Sequence, residues 1–206
     1  MIKVLGRANS VNVQKVMWCA AELGVDVVRE DVGGDFGGND TDAFRAMNPN
    51  GNIPVLIDGD LILWESNAIV RYLCHQYGTD SWTLPTAQQR GLAEQWMDWY
   101  IGTVNASMKT LFVQLVRTDA AKRDMAQINS AIADATKLWS ILDQHLATRD
   151  FILGQSLSIA DIPLGCAAYR WHSMDFEQPD LPNLKAWWDR LVARRAYREN
   201  VMIPLS

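Results

Sequence analysis

The sequence predicts an α/β domain followed by an all-α domain. Two observations carry that reading. Strand and helix signals alternate through residues 1–79, and beyond residue 85 strand signals vanish while apolar residues keep a three-to-four step. The composition supports a packed interior: 49% of the 206 residues are hydrophobic and 21% charged.

Each element follows in order. Residues 2–6 alternate as a strand. In residues 11–23, Val13, Val16, Met17, Ala20 and Leu23 recur at helical spacing, and Gly24 is a stop signal. Val25–Val28 reads as a second strand, the glycine-rich stretch 33–38 as a loop, and 41–47 as a short helix. Asn48-Pro49-Asn50-Gly51 is strong turn chemistry. Pro54–Ile57 and Leu61–Trp64 flank Asp58-Gly59-Asp60, a hairpin signal. Residues 65–77 set Ile69, Leu73 and Tyr77 on one helical face, with Gly78 expected as a left-handed C-terminal cap. The order β-α-β-α-β-β-α is that of a thioredoxin-like domain.

Residues 80–85 read as a linker, and 86–206 as the helical bundle domain. Long helical patterns cover 86–116 and 122–147. Ser158-Ile159-Ala160-Asp161 reads as a capping box, and Leu181-Pro182 opens a further helix through Val192.

Several function classes are excluded early. Nineteen basic against twenty-four acidic residues give a net charge of -5, without the basic footprint of a nucleic-acid binder. No apolar run is long enough to cross a membrane, and the N-terminus reads as a strand rather than a signal peptide, so a cytoplasmic protein is expected. Cys19, Cys74 and Cys166 are far apart and form no C-x-x-C pair, and His75, His145 and His172 show no ligand spacing. No metal is expected. The cysteines read as buried thiols and the nine tryptophans as core and interface residues.

Four segments carry a resemblance over essentially the whole chain: Ser10 within Arg7–Val16, Asn48–Leu56, Glu65-Ser66-Asn67-Ala68-Ile69, and Leu157–Asp161. In this order and spacing the chain resembles the cytosolic glutathione S-transferases, and its Ser/Asn signature after the first strand resembles bacterial members. The resemblance implies glutathione as co-substrate, a small electrophile as second substrate, and a homodimer.

It also implies roles. Such a site presents the glutathione sulfur as a thiolate. A free thiol, with a pKa of about 8.5, is only about 3% ionised at neutral pH. Lowering that pKa by about two units takes roughly 2.7 kcal/mol of thiolate stabilisation. Hydrogen-bond donors and a helix N-terminus can supply it without a base. Ser10 and Asn12 are the catalytic candidates. The residues alone equally allow either to be a plain helix cap. Ile53-Pro54 resembles the family's cis-proline step, which turns the Ile53 main chain toward the cysteinyl unit. Glu65 and Ser66 match the residues that hold the γ-glutamyl ammonium and carboxylate, and Asn52 stands where relatives reach the glycine carboxylate. Asp98 matches a position reaching across the dimer. The helical domain is expected to contribute the electrophile site and dimer contacts. Arg7, Trp99, Tyr100, Met108 and Phe112 are candidates for the electrophile site. Two other readings stay open: glutathione-dependent peroxidase or disulfide reductase chemistry, and a non-catalytic glutathione or hydrophobe carrier.

Overall fold

The computed structural model describes residues 1–206, which form two compact units. The first comprises Met1–Thr83 with Arg195–Ile203, the second Leu84–Arg194 with Pro204–Ser206. Sequence patterning groups 86–206 together, whereas Arg195–Ile203 returns to the first unit. A buried aromatic pair accounts for this return. Trp18 and Tyr197 meet edge to face at a centroid distance of 4.8 Å, both out of solvent. Such a pair contributes about 1 kcal/mol beyond the burial of its area.

The first unit runs β1 (Ile2–Leu5), α1 (Val11–Glu22), β2 (Val27–Glu30), α2 (Asp42–Met47), β3 (Val55–Asp58), β4 (Leu61–Trp64) and α3 (Ser66–Tyr77). Its strands form one sheet in the order β2-β1-β3-β4. β1 is parallel to β2, and the other pairs are antiparallel. This is the predicted thioredoxin-like order.

β2 begins two residues later than the hydrophobic run suggests. Val25 N–H closes the end of α1 on Ala20 C=O (2.9 Å), and Gly24 N–H bonds Ala21 C=O (3.2 Å). Gly24 takes φ +68, which completes a Schellman motif. The chain is therefore free to pair only from Val27. Gly78 departs from its predicted role. Its φ is −73, not left-handed, and a Cβ there would lie 2.3 Å from the Cys74 carbonyl oxygen. Glycine is required at Gly78 by close approach, not by backbone freedom.

The second unit is helical. The predicted helix over 86–116 is one continuous rod with two widened stretches. α4 (Ala87–Trp99) passes through a π turn at Tyr100–Val104 into α5 (Asn105–Phe112), and a second π turn covers Val113–Arg117. α6 (Met125–Leu146), α7 (Asp161–Ser173) and α8 (Pro182–Val192) follow, and α9 (Arg195–Asn200) belongs to the first unit.

The start of α4 carries a full capping box that the pattern reading passes over. The Thr86 hydroxyl accepts from Gln89 N–H (3.2 Å), and the Gln89 amide oxygen accepts from Thr86 N–H (3.1 Å). At Ser158–Asp161, where a capping box is predicted, the serine hydroxyl instead donates to Asp161. That carboxylate is fully buried and accepts four bonds of 2.9 Å, from Ile152 N–H, Ser158 N–H, the Ser158 hydroxyl and the Trp187 indole. Burial pushes the Asp161 carboxyl up, and these four donors pull against that shift. At the far end of α7, His172 stacks on Trp188 at 4.2 Å, and its Nε2 is buried without a partner. Burial lowers the His172 pKa to about 4, with Lys185 adding to the effect and Asp189 opposing it.

Candidate active site

The polar residues of interest gather where helices begin. Arg7 N–H bonds Val32 C=O (3.0 Å) just beyond β1, and the chain turns at Ser10 into α1. Ser10 has N-cap geometry (φ −80, ψ 123), yet its hydroxyl accepts no N–H from the first turn. It makes no bond within the chain, and the residue is 9% exposed. The N–H groups of Val11, Asn12 and Val13 have no acceptor in the chain either. A serine that only capped this helix would use them. The capping alternative for Ser10 is therefore not what the structure shows. The uncommitted hydroxyl and N–H groups form a positive, donor-rich corner suited to an anion.

Asn12 is exposed and does not cap the helix either. Its Oδ1 accepts from Lys15 Nζ (3.0 Å) and from the Ser66 hydroxyl (3.3 Å), while its Nδ2 bonds nothing in the chain. Ser66 lies at the start of α3 and is buried, so the openings of α1 and α3 meet through side chains. Lys15 also reaches Ser66 Oγ at 3.4 Å and is 1% exposed. Pattern reading misses Lys15, because a lone lysine between apolar positions looks like a surface residue. The signal available is its spacing three residues from Asn12, which puts the two on one helical face.

Glu65, just before α3, is exposed and holds φ +70 and ψ 111. A glutamate there stores about 1–3 kcal/mol of backbone strain. Such outliers cluster where a chain must aim a group. The Ile53-Pro54 peptide is cis, as the motif predicts. The Ile53 side chain packs on the cluster of Leu5, Phe44 and Val55, and its main-chain N–H and C=O make no bond in the chain. Asn52 is exposed with its side-chain amide uncommitted, and its C=O accepts from Asn48 Nδ2 (2.7 Å). Arg7 donates to Asn9 and lies over Gly34, where a Cβ would come within 2.9 Å of its Cδ and Nε.

The remaining candidates belong to the helical unit. Tyr100, Met108 and Phe112 are each 3% exposed. Burial raises the Tyr100 hydroxyl above its ordinary range. The Phe112 ring is covered by the Arg170 guanidinium at 3.8 Å and faced by Arg117 at 4.8 Å. Trp99 meets Trp96 edge to face and lines a shallow hollow of about 340 Å³ with Gln95 and Ile141. Asp98 is exposed on α4. All three cysteines are buried, and none stands at the start of α1. No three His, Cys, Asp or Glu side chains converge as a metal site, and no helix is long and apolar enough to cross a membrane.

Comparison with known proteins identifies the family. Residues 1–75 match the family described as "Glutathione S-transferase, N-terminal domain", and residues 104–195 match "Glutathione S-transferase, C-terminal domain". The glutathione S-transferase GstB of Escherichia coli K12 is 39% identical over 208 aligned positions, covering 100% of both chains. The chain belongs to the glutathione S-transferase family. Glutathione S-transferase 3 of Zea mays is 30% identical over 99% of this chain and 95% of its own. The glutathione-bound theta class enzyme of Xanthomonas axonopodis pv. citri superposes with a TM-score of 0.95. It shares 46% identity over 100% of this chain and 99% of that one. The protein is thus an enzyme of the glutathione S-transferase type, and its two units carry the paired family domains.

Proposed function

We propose that this glutathione S-transferase adds glutathione thiolate to small hydrophobic or halogenated electrophiles, using Ser10 and Asn12 to hold the sulfur in its ionised form. One observation carries the reading: both side chains stand at the first turn of α1 with donors that nothing in the chain accepts. Donors aimed at a sulfur favour its charged form. In this reading Ile53 pairs its free main chain with the cysteinyl unit, as an added strand would. Pro54 fixes that turn. Ser66 receives the γ-glutamyl carboxylate, Glu65 the ammonium, and Asn52 the glycine end. For the electrophile, Arg7 is the candidate of the first unit and Trp99, beside its open hollow, that of the helical unit, inside which Tyr100, Met108 and Phe112 are packed. The enzyme acts as a cytoplasmic homodimer, with Asp98 reaching the partner's glutathione.

The redox alternative would need two glutathiones in one site, because the protein's own cysteines offer no partner for a mixed disulfide. All three are buried away from the start of α1, so none is placed to form a mixed disulfide with glutathione there. The test is an ultraviolet difference titration with glutathione across the neutral range. A thiolate band appearing well below pH 8 supports conjugation. Binding without the band assigns the site to a carrier, and turnover of small disulfides assigns it to reduction.

A further inference from the structure

We propose that Lys15 is a positioning residue of the glutathione site: it fixes the Asn12 amide with its N–H₂ edge outward and places positive charge behind Ser66. The inference rests on the reading of Asn12 and Ser66 as residues that handle glutathione.

The argument starts from donor and acceptor chemistry. A lysine ammonium has three donors and no acceptor. Its Nζ lies 3.0 Å from the polar end of Asn12, so the atom facing it must be the amide oxygen. The Ser66 hydroxyl donates to that same oxygen at 3.3 Å. Both bonds consume the carbonyl edge and leave Nδ2 as the edge turned to solvent. An asparagine amide is nearly symmetric in shape, so without Lys15 it can flip at little steric cost. The flipped amide would set an oxygen against the thiolate, which disfavours the ionised sulfur.

Lys15 also governs Ser66. In the resting arrangement the single Ser66 proton points at Asn12, while Ser66 Oγ receives Lys15 Nζ at 3.4 Å. A carboxylate arriving at Ser66 draws that proton toward itself. The Lys15 bond then keeps Asn12 in place, and the ammonium behind Ser66 adds attraction for the anion. Lysine is rarely buried as deeply as 1% exposure, because desolvating its charge is costly. One lysine thus couples binding at the γ-glutamyl end to ionisation at the sulfur.

The test compares wild type, Lys15→Met and Lys15→Gln. The readouts are the apparent thiol pKa of bound glutathione, KM for glutathione, and kcat with an activated aryl halide. Lys15→Met should raise the thiol pKa by about one unit, equivalent to tenfold less thiolate below that pKa. It should also raise KM about tenfold. In an Asn12→Ala background the same change should leave the thiol pKa where Asn12→Ala put it. Lys15→Gln retains a donor for the amide oxygen but not the charge, so it should keep the thiol pKa near wild type and raise KM. A folded Lys15→Met enzyme with wild-type thiol pKa and KM overturns the inference. If the Met variant does not fold, a Gln variant with unchanged KM overturns it instead. Failure of the wild type itself to show a thiolate band sinks the thiolate reading of the site separately, before any Lys15 variant is compared.

Discussion

The starts of α1 and α7 are built from similar residues and do opposite things. At α7, Asp161 accepts four donors at 2.9 Å and is sealed from solvent. At α1, the Ser10 hydroxyl accepts nothing from the helix it begins, and Asn12 turns a free N–H₂ outward. The contrast separates structure from function in physical terms. Polar groups whose capacity is spent inside the chain hold the fold together. Polar groups at a helix start whose capacity is unspent can be spent on a ligand, and they cost the fold little to keep.

The largest effect should come from breaking the satisfied start. Asp161→Ala leaves two backbone N–H groups and the Trp187 indole buried without an acceptor, and should cost about 4 kcal/mol. Denaturant unfolding measures it, and a loss below about 1 kcal/mol would erase the distinction between the two helix starts.

The unsatisfied start should respond the other way. Ser10→Ala and Asn12→Ala should each lower glutathione-dependent turnover about tenfold or more near pH 6.5, where thiolate is scarce without them. Ser10→Ala should cost no more than about 0.5 kcal/mol of stability, whereas Asn12→Ala also takes the acceptor from Lys15 and Ser66 and should cost about 1 kcal/mol or more. A true N-cap loses about 1 kcal/mol on the same change, so Ser10→Ala with that penalty and full activity would restore the capping reading.

The far end of α7 sharpens the contrast, because there a buried group lacks its partner. His172 titrates near pH 4 in the fold against about 6.5 when unfolded, so the unfolded chain takes up its proton first. The sign follows: stability is fully present above about pH 6.5 and is lost as pH falls toward 4. Between pH 7.5 and 5 the loss should be about 1 kcal/mol, allowing for partial solvent screening. His172→Phe keeps the stack on Trp188 and should flatten that part of the pH profile in urea melts.

The smallest effect tests the strained residue. Glu65→Gly removes the penalty at φ +70 and should stabilise the enzyme by about 1 kcal/mol or slightly less. It should also raise KM for glutathione severalfold. A variant whose stability and KM both stay unchanged would mean that Glu65 is neither strained nor in use.

Much of the architecture is legible in residue order. Apolar spacing with Gly24 and Pro182 as punctuation yields the helices, and Asp58-Gly59-Asp60 yields the hairpin, because these signals act over a few residues. The cis step at Ile53-Pro54 follows from a motif, and the assignment to glutathione from four motifs in register. Lys15 was not legible. Its role depends on Ser66, fifty-one positions away, and periodicity carries no information at that range. Gly78 was legible as glycine but not for its reason, which is the approach of the Cys74 carbonyl.

The sequence by itself determined the order of elements, the family and the residues at the helix starts. Those properties reside in local pattern and in motifs preserved in line. Only the tertiary structure decided which polar groups are already spent. Asp161 is committed because Ile152 and Trp187 fold onto it, and Ser10 is uncommitted because nothing does. Hydrogen-bond satisfaction is a property of neighbours in space, and packing alone chooses those neighbours.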